Sequence, residues 1–175
     1  MRQTFATFFI VLLLAACTVP QSTPDTRTAP ANSQNCAYVW ATQPLPDLTA
    51  KVQSAVNAAG LTGVSVSVEA YGENCIDPQT NKVVDFATME TDFRFTAQVA
   101  DLKNLENLGV VLEKVLIVLD AFPLGKIPGP QAGYINISFQ SGKDESNLSF
   151  TAAAGKSARI LGLRGAALFN KLQKK

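Results

Sequence analysis

The stretch Val64-Ser65-Val66-Ser67-Val68-Glu69-Ala70-Tyr71 alternates apolar and polar side chains at every step. A period of two sends the two sets to opposite sides of an extended chain, so this is a strand with one buried and one wet face. Further along, Phe93, Phe95, Ala97 and Val99 alternate in the same way with Asp92, Arg94, Thr96 and Gln98. Joined to the β-branched run from Val83 to Thr88, they predict one long, bulged strand. Cys75-Ile-Asp-Pro-Gln-Thr-Asn81 carries the turn chemistry between the two.

Upstream, Cys36 to Thr42 is aromatic and β-branched and reads as a strand. Pro46-Asp47 opens a helix whose apolar positions Leu48, Val52, Ala55, Val56 and Ala59 recur at three and four, with Gly60 placed to end it. Downstream, Asp101 or Asn104 caps a second helix with a broad stripe of Leu105, Leu108, Val111, Leu112, Val115, Leu116, Val118 and Leu119. Glu113, Lys114 and Asp120 interrupt it, so it is a core helix and not a membrane span. The Pro/Gly loop from Phe122 to Gly133 leads to Ile135, Ile137 and Phe139, and Ser141-Gly142-Lys143-Asp144-Glu145 turns this run into Leu148, Phe150 and Ala152 as a hairpin.

The order β-α-β-β-α-β-β predicts an α+β fold: a two-layer sandwich of about five mainly antiparallel strands with two helices on one face. A basic C-terminal helix follows. In it Leu161, Leu168, Phe169 and Leu172 share one side and Arg164, Lys171 and Lys175 another. The expected divisions are a leader over residues 1–16, a tether over 17–35, the α+β domain over 36–155 and the basic helix over 156–175. The helix either docks its apolar side on the domain or lies on anionic lipid, and Gly162 and Gly165 favour docking because they weaken a free helix.

The amino terminus sets an address. Met1-Arg2 precedes the apolar run Phe8 to Leu14, too short to span a bilayer, and the small residues Ala15-Ala16 follow, in the order of a secretory signal peptide. Leu14-Ala15-Ala16-Cys17 resembles the lipobox of bacterial lipoproteins. That resemblance implies removal of residues 1–16, a diacylglyceryl group on Cys17 and further acylation, by palmitate for example, of the new amino terminus. Membrane lipid would then be the first partner, at the extracytoplasmic face of the cell membrane or the outer membrane. Thr18 stands where an aspartate resembles an inner-membrane retention signal, which favours the outer membrane in a diderm cell. The Pro/Thr/Ser-rich residues 18–35 hold no aromatic and cannot order themselves by burial, so they read as a spacer.

If Cys17 carries lipid, Cys36 and Cys75 are left in an oxidising compartment and are expected to form a disulfide, two buried free thiols being the other reading. The 175 residues less the 16 of the leader leave 159, with 14 basic and 14 acidic residues. Six bases and no acid lie from Lys156 onward, so an acidic body carries a basic tail. Nucleic acid is not an expected partner of such a near-neutral chain.

The chain has no histidine. Ser-His-Asp and Cys-His catalysis and histidine metal sites are thereby excluded, and a bridged cysteine pair leaves no thiolate. Gly155-Lys156-Ser157 imitates the end of a phosphate-binding loop, but Phe150 stands where the earlier glycine belongs. Asp77, Gln79 and Asn81 have the spacing of a calcium loop, yet Lys82 replaces its glycine and Thr88 its bidentate glutamate. No catalytic residue, cofactor or metal site is therefore expected, and the chain is read as non-enzymatic. A surface remains. If Ala37, Val39 and Ala41 point inward, Tyr38 and Trp40 join Tyr71, Arg94 and Tyr134 on the open side of the sheet, a face suited to a glycan or an envelope protein; the opposite orientation buries both aromatics. The alternatives are a carboxylate-based extracytoplasmic hydrolase using two of Glu69, Asp85, Glu90 and Asp92, and a purely structural envelope component.

Overall fold

A computed structural model describes residues 36–173, and Cys17, its leader and the tether lie outside the described residues. The chain folds as α+β with a five-stranded mixed sheet and four α-helices. In order these are β1 (Ala37–Pro44), α1 (Pro46–Ala58), β2 (Val64–Ile76), β3 (Val83–Gln98), α2 (Leu105–Leu119), β4 (Gln131–Ser141), β5 (Asp144–Thr151), α3 (Ala152–Ile160) and α4 (Gly165–Gln173), with a 3-10 turn at Leu124–Lys126 before β4. The strands lie side by side in sequence order, β1-β2-β3-β4-β5.

The period-two stretches become β2 and β3, antiparallel with Val68 opposite Phe93 and Val66 opposite Phe95. Register shifts break β3 near Met89 and again near Val84, where the sequence alternation slips. The expectation of a mainly antiparallel sheet is corrected at the next pair: β3 and β4 run parallel, Phe93 opposite Ile135 and Phe95 opposite Ile137. Parallel neighbours need a connection long enough to bring the chain back to the end of the sheet where it started, and α2 with its loops supplies it. α1 does not cross in this way, so β1 and β2 are antiparallel despite the helix between them. β1–β2 and β4–β5 are antiparallel.

Val64, Val68, Phe93, Phe95, Ile135, Ile137, Phe139, Leu148 and Phe150 are buried together with Val52 and Val56 of α1 and Leu108, Leu112, Val115 and Leu116 of α2. Asn104 caps α2, its side chain accepting from the Asn107 N–H at 3.1 Å. Among the described residues no helix is long and apolar enough to cross a membrane.

The single basic helix expected from Lys156 is instead two. α3 begins at Ala152, where Thr151 accepts from the Ala154 N–H at 3.2 Å, and Gly155-Lys156-Ser157 lies inside it. The chain then breaks at Gly162, which takes a left-handed φ of 71°, and restarts as α4. Ala158, Leu168, Phe169 and Leu172 enter the core, while Leu161 is left in the break and is 68% exposed. Gly165 meets Gly109 of α2, the Glu106 carboxylate accepts from the Ala166 N–H at 2.9 Å, and Arg164 pairs with Glu113 at 2.9 Å. Charge at the start of α4 is thus met by an anion from α2. The stretch Gln34–Lys175 forms one compact unit that holds every described element, the core and the disulfide.

Candidate functional site

The aromatic cluster is built by strand pairing. β1 runs antiparallel to β2 with Tyr38 opposite Cys75, Trp40 opposite Glu73 and Thr42 opposite Tyr71. Because Val64, Val68 and Ala70 are buried on the helix side, Tyr71, Glu73 and Cys75 and their respective partners Thr42, Trp40 and Tyr38 fall on the other side. Trp40 is a diagonal neighbour of Tyr71, and their rings stack in parallel, 5.2 Å between centroids and 1° between planes. Trp40 remains 56% exposed and Tyr38 61%, so both face solvent and the orientation that would bury them is not adopted.

Arg94, on β3, reaches back to Glu69 of β2 at 3.1 Å. This ion pair and the stacked rings share the open side, joined by hydrogen-bonding groups such as Ser149, whose hydroxyl donates to Asn136 at 2.7 Å. Tyr134 lies on the same side of the sheet, two strands away from Tyr71. It stands on β4 opposite Thr151 and lines a separate cavity of about 500 Å³ with Ser149, Lys171 and Leu172. Cys36 and Cys75 are paired, their Cα atoms 5.1 Å apart, beside the aromatic cluster.

Of the four carboxylates singled out in the sequence, three come together. Glu69 lies opposite Asp92, and Glu90 opposite Tyr71, all on the open side. Asp85 is opposite Cys75 at the far end of the hairpin and lies apart from them. Asp92 faces an irregular stretch of β4, where two residues, Gly133 and Tyr134, answer one on β3; its carboxylate accepts the Tyr134 N–H at 2.6 Å. Gly133 makes the room: a Cβ there would sit 2.1 Å from Asp92 Oδ1 and 3.0 Å from Glu90 Cδ. Burial first, and then the charge of Asp92, hold the Glu90 carboxyl above its ordinary 4.5. Sequence reasoning missed this arrangement because the bulge and parallel pairing that create it are non-local; a glycine in a strand pattern was the available signal.

Asp77 turns inward on its own loop, accepting from the N–H groups of Gln79 and Thr80. Among the described residues no group of three acidic or cysteine side chains is arranged to hold a metal ion. A larger cavity, unforeseen in the sequence, opens on the helix side between α2, α3 and the loop from Phe122 to Pro130, with a volume of about 660 Å³. Searches against protein-family models, curated proteins and solved structures found no match to this chain.

Proposed function

We propose that this chain is a non-enzymatic recognition module of the cell envelope, held at the extracytoplasmic side of a membrane by lipid on Cys17 and binding a glycan, or a protein partner, on the open face of its sheet. The observation that carries the reading is the Trp40–Tyr71 stack, a flat aromatic platform exposed to solvent although neither ring faces the core. Aromatic faces flanked by a few fixed polar groups are what recognition of sugars and proteins requires, and Glu73 opposite Trp40 and the Glu69–Arg94 pair supply them. The reading rests on a two-layer arrangement in which helices cover one side of the sheet and leave the other open.

Trp40 is the chain's one tryptophan, so its fluorescence reports on the platform alone. Titration of residues 18–175 with solubilised cell-wall glycans should change that emission saturably, and Trp40→Ala should abolish the accompanying thermal shift. Absence of any response across glycans and purified envelope proteins, or a thermal shift indifferent to Trp40→Ala, would sink the reading.

A carboxylate hydrolase is the second reading, favoured by one observation: Glu90, held above its ordinary range, stands beside Asp92 on the open side. Turnover of a glycoside or ester that is lost in Glu90→Gln would promote it over simple binding. A purely structural envelope role is the outcome left by failure of both tests.

A further inference from the structure

The 660 Å³ cavity on the helix side has the size of a small-molecule site and walls of one kind, with Phe93, Leu116, Leu119, Phe122, Ile127 and Ile135 all facing it. Its roof is pinned: the buried Thr91 hydroxyl donates to the Pro128 carbonyl at 2.7 Å. At the mouth the chemistry changes. Ala152, Ala153, Lys156 and Arg159 of α3 line it, so the first-turn amides of that helix and two cations meet at one place. Asp120 is also there, and takes Arg159, whose guanidinium further donates to the Leu116 carbonyl at 3.2 Å. Lys156 has no salt-bridge partner among the described residues, and Arg159 Nε is buried without an acceptor. An apolar chamber ending in an unpaired Lys156, beside an Arg159 that keeps one free donor although Asp120 pairs with it, is matched by a molecule with an alkyl chain and a negative head.

We propose that this cavity binds an anionic alkyl amphiphile, its chain among Phe93, Leu116 and Ile135 and its carboxylate or phosphate head at Lys156, Arg159 and the start of α3. Each methylene taken from water into such walls favours binding, and the head fixes orientation at the mouth. The site lies on the side of the sheet opposite the aromatic platform and does not depend on it.

The experiment titrates residues 18–175 with dodecanoate, dodecanol and dodecyltrimethylammonium below their micelle concentrations, by calorimetry and amide chemical-shift mapping. Dodecanoate should bind one to one, tighter than the other two, with shifts at Phe93, Leu116, Ala132 and Ile135. Lys156→Glu should weaken dodecanoate about tenfold, the loss of one charge-assisted contact, while Lys143→Glu at the β4–β5 turn leaves it unchanged. Ala153→Phe, at an exposed position lining the mouth, should block all three probes with the fold intact. Equal affinity for the three heads, indifference to Lys156→Glu, or shifts confined to the aromatic face would overturn the assignment. The lipidated full chain in nanodiscs should bind dodecanoate equally well. If only the unlipidated chain binds, the cavity holds the protein's own acyl group and the assignment to an external ligand fails.

Discussion

Gly109 of α2 lies so close to Gly165 at the start of α4 that a Cβ on Gly109 would stand 1.9 Å from the Gly165 carbonyl oxygen. Two backbones in direct contact leave no flexible group to give way. Gly109→Ala should therefore lower stability by about 1 to 3 kcal/mol, the cost of forcing packed elements apart, even though alanine is the better helix former. Gly125, with nothing within 4 Å of its Cβ position and no left-handed φ, is the control, and Gly125→Ala should stay within about 0.5 kcal/mol of the native chain. Denaturant unfolding of the two variants measures the difference.

Loss of the Cys36–Cys75 bridge should be costly. Linking residues 39 apart removes roughly 4 kcal/mol of chain entropy from the unfolded state, and Cys36→Ser with Cys75→Ser should lose between about 2 and 4 kcal/mol by the same measurement. Alkylation of the native protein without reductant should add no label to either cysteine, whereas labelling at both would contradict the pairing.

Acidity should act through Glu90. Its folded carboxyl titrates above the ordinary 4.5, so the folded state holds its proton more tightly, and stability falls as pH rises from that ordinary value through the folded one. Glu90→Gln removes the loss. Its melting temperature should exceed the native value at neutral pH, and the excess should shrink towards nothing at about pH 4. An excess that is constant with pH would disprove this account of the carboxylate.

Thr91→Val keeps the shape of a fully buried side chain and deletes the hydroxyl that holds Pro128. About 1 kcal/mol of stability should go with it. Hydrogen exchange should quicken at the Ile127 amide, which bonds to Leu124 in the loop that Thr91 pins, and remain slow in α1.

The local pattern carried most of the elements. Val64 to Tyr71 and Phe93 to Gln98 announced their faces because the period of two is written in adjacent residues, and Gly60 and Asn104 marked helix ends by chemistry confined to a few positions. The parallel pairing of β3 with β4 was harder to read because it depends on which end of the sheet α2 returns to, and strand-helix-strand order alone does not decide it: β1 and β2 flank α1 and are antiparallel. The break at Gly162 that splits the basic segment goes with α4 packing its Gly165 on Gly109 of α2, 56 residues earlier in the chain (165 minus 109), a contact no local pattern shows. Alternation could name Tyr38, Trp40 and Tyr71 as candidates but could not choose the side on which β1 shows them. Antiparallel register with β2 decides that.

The placement of Cys36 has a mechanical consequence. Any pull arriving along residues 17–35 enters the domain at the first residue before β1, an edge strand that could otherwise be unzipped from the sheet one hydrogen bond at a time. The bridge to Cys75 diverts that load at once into β2, which is paired on both sides, so force must shear two ladders together instead of peeling one. If the chain is held at a membrane through Cys17, as proposed, a pull from that end meets two paired strands instead of one edge strand.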